Sequence, residues 1–297
     1  MEAAGVGNSR FEKAGVLLCV AIALGLPLRA ADLPDISSPD PAALPDPVLD
    51  RGYHLLYALD FPGAQQVFAD YEKQHMDDPL GPVSEAAGLL FSEFNRLGIL
   101  ESQFFVKDSA WSNRPKLSPD PQIKLRFDQA LDRADALSTA RLNRDASDHD
   151  GLFAHTLALG LRADYAALVE KRNIASLQFT RDSRTSAEKL LALHPTCYDA
   201  YLATGISDYV IGNLSAPVRW ILHVGGYSGD KHRGITSLEV TAEKGHYLAP
   251  FARLLLAIAY LREKDVNHAR DLLRGLQQEF PSNQLFTREL ARLDQAH

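Results

Sequence analysis

The chain has 297 residues, 46% hydrophobic and 23% charged, with a formal net charge of −7 and a pI near 5.8. This is the balance of an ordinary soluble globular protein, long enough to bury a sizeable core. An acidic chain without a dense Lys/Arg run lacks the basic face of a nucleic-acid binder, so that class is excluded.

The first thirty residues differ from the rest. Arg10 and Lys13 precede an apolar stretch from Ala14 to Leu28, and Ala30 and Ala31 follow. A positive flank, a short apolar run and small residues form the pattern of a secretory signal peptide, which is expected over residues 1–30. The exported chain is then expected in the periplasm or outside the cell. Leu28 or Arg29 stands where cleavage prefers a small residue, so an uncleaved N-terminal anchor is the alternative. Leu18 before Cys19 does not fit a lipoprotein signal. Past residue 31 no apolar run reaches the ~20 residues of a spanning helix, so no integral membrane domain is expected after cleavage. Removal of the signal leaves one cysteine, Cys197, which reads as a small buried filler rather than a nucleophile.

Residues 31–47 form a linker: from Asp32 to Pro47 there are five prolines and four aspartates, a composition that blocks helix and favours an extended tether. From residue 48 to 297 apolar residues recur at three- and four-residue intervals and strand-like alternation is almost absent. Helices are expected near 47–59, 63–76, 81–101, 121–143, 149–169, 171–193, 197–212, 231–245, 248–264, 266–280 and 283–295. Pro62, Pro79, Pro195, Gly229 and Pro281 punctuate them.

The same residue types return at matching offsets. Over 250–281, Ala257 and Ala269 allow two helices to approach closely, Tyr260, Leu273 and Leu276 fill the space around them, and Pro281 stops the second helix. Gly52, Leu55, Ala64 and Phe68 keep these offsets near the start, with the terminal proline displaced to Pro79. Tyr201 and Gly205 suit a first helix whose partner holds Gly234 and Leu238, split by about seventeen residues. The middle, 121–193, matches in periodicity alone. On these residues the chain resembles bacterial periplasmic tetratricopeptide-repeat (TPR) proteins. The expected fold is therefore all-α, a right-handed superhelical solenoid of antiparallel helix pairs, TPR-like. The resemblance implies a non-enzymatic scaffold or adaptor of the cell envelope that binds a protein or peptide partner. No catalytic residue, cofactor or metal is expected.

Two insertions carry the binding candidates. Residues 102–120 hold Phe104, Phe105 and Trp111, and residues 213–229 hold Arg219, Trp220 and Tyr227. Long loops in compact domains are often functional, and Trp, Tyr and Arg are enriched at binding hot spots. The alternative is that the aromatics pin the loops onto the body as extra core. Tyr53 and Tyr201, on first helices, are candidates for a concave binding face, and Tyr260 is a weaker one because it sits at a packing position.

The enzymatic reading rests on Glu72…His75 and Glu243…His246. Two Glu-x-x-His motifs on helices can hold a di-iron centre in a helical-bundle oxidoreductase. Both lie in last helical turns, where the helix dipole favours histidine anyway. His223, His232 and His246 with Asp230 and Glu243 lack the spacing of a zinc site. Segment 225–234, GGYSGDKHRG, fails as a P-loop and as a nucleophile elbow, and reads as a turn with Asp230 capping the next helix. His149 reads as part of a helix N-terminus. A small-molecule or lipid carrier with an apolar groove between helices is the remaining alternative.

Overall fold

The structure, a computed structural model, describes residues 46–100, 117–224 and 226–295. Among the described residues it is helical and without strands. The α-helices are α1 (Pro47–Tyr57), α2 (Phe61–Gln74), α3 (Leu80–Arg96), α4 (Pro121–Arg144), α5 (His149–Asp164) and α6 (Asn173–Leu193). They continue as α7 (Tyr201–Gly212), α8 (Ala216–Val224), α9 (Lys231–Lys244), α10 (Ala249–Arg262), α11 (Val266–Glu279) and α12 (Gln284–Gln295). A π turn, Tyr165–Val169, prolongs α5, and a 3-10 turn, Tyr198–Ala200, leads into α7. None of the described helices is long and apolar enough to cross a membrane.

The starts of the helices follow from local chemistry. The carboxylates of Asp46, Asp60, Asp120, Asp148, Asp230 and Asp265 accept hydrogen bonds from first-turn N–H groups that have no intrahelical partner. Pro47, Pro62, Pro121 and Pro250 stand in first turns, where a missing N–H costs nothing.

Two kinds of turn recur. Between α1 and α2, Leu59 takes φ 65° and the N–H of Asp60 donates to Leu55 O at 2.9 Å; between α10 and α11, Lys264 takes φ 65° and the N–H of Asp265 donates to Tyr260 O at 2.8 Å. These are equivalent positions in the two stretches whose offsets match in sequence. A second turn follows α2, α4, α6 and α11. In each, a bond of 3.0 Å closes four residues: Asp78 N to His75 O, Asp148 N to Asp145 O, Cys197 N to His194 O, and Asn283 N to Phe280 O. The middle of the chain, which lacks the repeat's residue pattern, thus uses the same turn as the ends.

Packing runs mainly between successive helices, with α7 meeting α9 across the intervening α8. Gly52 lies against the Phe68 ring, with no room for a side chain. Ala257, Ala269, Leu273 and Leu276 are buried together with Phe280, Phe286, Leu290 and Leu293, so α12 covers the apolar face of α11. At α7 and α9 the backbones nearly touch: a Cβ on Gly234 would stand 2.5 Å from Tyr209 N, and one on Gly205 3.0 Å from Leu238 Cγ.

Two boundaries differ from expectation. The helix expected over 81–101 ends at Arg96, because Gly98 adopts φ 71° and turns Ile99 back into the core. The segment 213–229, expected as a loop, contains α8. Pro217 falls in the first turn of that helix, where proline fits.

The chain also returns on itself. The N–H of Asp46 donates to Tyr247 Oη at 2.7 Å, and Tyr57 Oη donates to Tyr247 O at 2.9 Å. Asn283 Nδ2 donates to Tyr57 O at 2.8 Å. His54 and Tyr57 rest their rings on Phe280, with centroids 5.0 and 5.7 Å away. On α3, Phe91 meets Phe251 of α10 edge-on at 5.3 Å. These contacts join parts of the chain separated by some two hundred residues in sequence.

Candidate functional site

Where the chain closes on itself it leaves a cavity of about 850 Å³, counting the open space at its mouth. Tyr53, Leu56 and Tyr57 of α1, Ala87 and Phe91 of α3, Phe153 to Asp164 of α5, Leu202 to Ile206 of α7 and Phe251 of α10 form most of its wall. The wall is largely apolar, and Thr180 and Ser183 of α6 add to it. A mostly apolar concavity with a few polar groups is the usual form of a small-molecule site.

Asp199 and Tyr247 hold the closure together. The buried Asp199 carboxyl accepts from the N–H groups of His246 (2.8 Å), Tyr247 (3.0 Å) and Leu248 (3.1 Å). It thereby fixes the α9–α10 connection against the start of α7. Tyr247, held in that connection, then packs on Tyr53 at 5.0 Å and Phe153 at 6.5 Å between ring centroids. Neither residue stood out in the sequence; an aspartate followed by a helix there reads only as a cap.

Asp164 differs from the other polar groups of the wall. Tyr53 Oη shares a hydrogen bond with Ser84 Oγ, Thr156 donates to Leu152 O, Thr180 to Ser176 O, and Ser183 to Thr156 O. Tyr57 and Asp199 are engaged as described. Among the described residues Asp164 has neither a hydrogen bond nor a charged neighbour, and desolvation pushes its carboxyl up to about 7. Its surface is only partly covered, because the space beside it is the cavity. It is the last residue of α5, where the helix passes into the π turn, a distortion frequent at functional sites.

This burial has a measurable consequence. The folded state holds the Asp164 proton up to about pH 7, whereas an unfolded chain releases it near 3.8. Below the lower value both states are protonated and nothing is lost. Between the two, wild type is expected to lose stability relative to Asp164→Asn by about 1.4 kcal/mol per pH unit. Denaturant unfolding of both proteins across that range checks it; parallel stability curves would show that the carboxyl is solvated.

The candidates from sequence are dispersed. Tyr53 is buried and lines the cavity; its ring also meets Phe68 edge-on, so it serves packing and wall together. Tyr201 is half-buried and is not part of the wall. Trp220 is 69% exposed on α8, and Arg219, also exposed, donates to Gly212 O at 3.0 Å. Trp220 therefore does not pin its segment to the core. Tyr227 lies half-buried beneath the Arg181 guanidinium, 5.3 Å from the ring centroid. Phe104, Phe105 and Trp111 lie outside the described residues. Tyr260 Oη donates to Glu239.

The Glu-x-x-His residues are engaged separately. Glu72 binds Arg133, His75 stacks on Tyr71, Glu243 is exposed, and His246 pairs with Asp50. Among the described residues no group of three or more His, Cys, Asp or Glu is placed to hold a metal. Asp230 caps α9 through the N–H of Arg233 at 2.9 Å. His149 opens α5, its ring bonded to Asp150. Cys197 is buried, and that burial pushes its thiol up to about 12, so it stays protonated and unreactive.

Comparison with known families and with curated proteins returns no match for this chain.

Proposed function

We propose that the protein is a non-enzymatic carrier of the bacterial cell envelope, a TPR-type solenoid whose helix pairs wind tightly enough to enclose an apolar ligand. In this reading α1–α2, α3–α4, α5–α6, α7–α9 and α10–α11 are antiparallel pairs in a right-handed superhelix, and α12 is the cap. What supports it is the composition of the cavity wall: α1, α3, α5, α7 and α10 supply most of it, α2, α4, α9 and α11 supply none, and α6 is the one second helix that reaches it, through Thr180 and Ser183. First helices inside and second helices outside is the arrangement of a wound array of pairs. An extended peptide needs an open concave groove, and the closure at Tyr247 leaves a bounded cavity instead, which favours a compact apolar ligand.

A second reading, docking of a protein partner, is favoured by the exposed side chains of Val210, Trp220 and Val224 on α7 and α8. One titration separates the two. The uncharged dye N-phenyl-1-naphthylamine is expected to bind wild type, and Ala203→Phe, which pushes a ring into the cavity, to weaken it about tenfold or more. Trp220→Ala should leave dye binding unchanged. Dye binding lost with Trp220 and indifferent to Ala203 would move the site to the α8 surface.

A further inference from the structure

We propose that the cavity binds an apolar molecule bearing one basic amine, and that Asp164 is the group that receives the amine. The inference rests on the cavity being the ligand site, and it adds the ligand's chemical class. The hydroxyls of Tyr57, Thr156, Thr180 and Ser183 all donate to backbone oxygens, and Tyr53 is paired with Ser84. Asp199 already accepts three N–H groups. A ligand therefore meets polar side chains that already hold a partner at every point but one, the hydroxyls having only acceptor lone pairs left to offer.

That point is an acid without a partner. A half-buried carboxyl beside an apolar wall, with no hydrogen bond and no opposing charge, is poorly solvated in its ionised form. The cations beside it in the chain or over its neighbour's ring are engaged elsewhere: Arg162, two residues earlier, binds Asp132 and Asp135 of α4, and Lys124 of α4 binds Asp128 while lying over the ring of Tyr165. Tyr165 itself stacks on Phe127, 5.1 Å away. The titratable groups that share the cavity with Asp164 are Tyr53, Tyr57 and Asp199, and each is hydrogen-bonded.

An ammonium group entering the cavity supplies both a hydrogen-bond donor and a countercharge, and the apolar wall takes the rest of the molecule. An alcohol supplies a donor without charge. A carboxylic acid in its ionised form places like charge beside Asp164 and is rejected. Charge-assisted hydrogen bonds exceed neutral ones by enough to give about a tenfold preference or more.

The test compares decylamine, decanol and decanoate at about pH 8, where Asp164 is largely ionised and the amine protonated. Affinities come from displacement of N-phenyl-1-naphthylamine, kept below the ligands' micellar range. Wild type is expected to prefer decylamine over decanol by about tenfold or more, with decanoate weakest. Asp164→Asn should keep decanol binding and lose the preference for the amine. Equal affinity of wild type for decylamine and decanol would overturn the proposal and leave the carrier reading standing, as would a preference that survives Asp164→Asn. Failure of all three ligands and of the dye to bind would remove the carrier reading itself.

Discussion

Asp199→Ala is expected to destabilise the protein by about 3–5 kcal/mol and to open the cavity. Three N–H groups lose their acceptor at once, those of the buried Tyr247 and Leu248 and that of His246 beside them. Each unsatisfied buried donor costs about 1–3 kcal/mol, offset in part by water entering the opened site. The effect should also spread. Tyr247 is the contact point for the Asp46 backbone, for Tyr57 and for the rings of Tyr53 and Phe153, so freeing it releases α1 from the far end of the chain. Urea unfolding gives the loss of stability, and amide exchange at residues 246–248 gives the loss of protection. Asp199→Asn, which retains one acceptor oxygen, should be intermediate. A variant as stable as wild type, with protection at 246–248 unchanged, would show that the closure does not depend on this carboxyl.

The second large effect is expected at the α7–α9 crossing. Gly234→Ala puts a methyl 2.5 Å from Tyr209 N, 2.8 Å from Tyr209 Cα and 2.9 Å from Gly205 O. These are backbone atoms, which cannot rotate out of the way, so the two helices must separate. Helix propensity favours alanine by up to about 1 kcal/mol, and the forced separation outweighs it, for a net destabilisation of about 2–4 kcal/mol. Gly275, also within a helix, has nothing within 4 Å of its hypothetical Cβ. There the same substitution keeps only the propensity term and should stabilise by about 0.5–1 kcal/mol. Thermal denaturation of the two variants should therefore move in opposite directions. If Gly234→Ala also raised the melting temperature, the close approach of α7 and α9 would be wrong.

The close contacts were legible because they leave a compositional trace. Gly52 with Phe68, Gly205 with Gly234 and Leu238, and Ala257 with Ala269 drew attention as small residues set opposite large or small ones, and each set is packed together. The recurring four-residue turn was not legible in the middle, since Asp145–Asp148 and His194–Cys197 share a hydrogen bond without sharing residues. The binding candidates fared differently. Aromatic content drew attention to Trp220 and Tyr227, whereas among the described candidates Tyr53 alone lines the cavity. Asp164 gave no signal, because an aspartate near the end of a helix resembles any solvated surface acid.

The sequence by itself determined the helices, their caps and their apolar faces. Those depend on interactions within a few residues: an aspartate beside the N–H groups it caps, a side chain and its neighbours one turn away. The tertiary structure alone decided that α1 meets the later helices at Tyr247 and Phe280, that a cavity lies inside, and that Asp164 lines it without a partner. Closure depends on how each described helix packs on the next, and no local pattern records the sum of those contacts. Burial of a carboxyl is likewise set by whatever surrounds it, so the property that gives Asp164 its proposed role appears only once distant helices have packed around it.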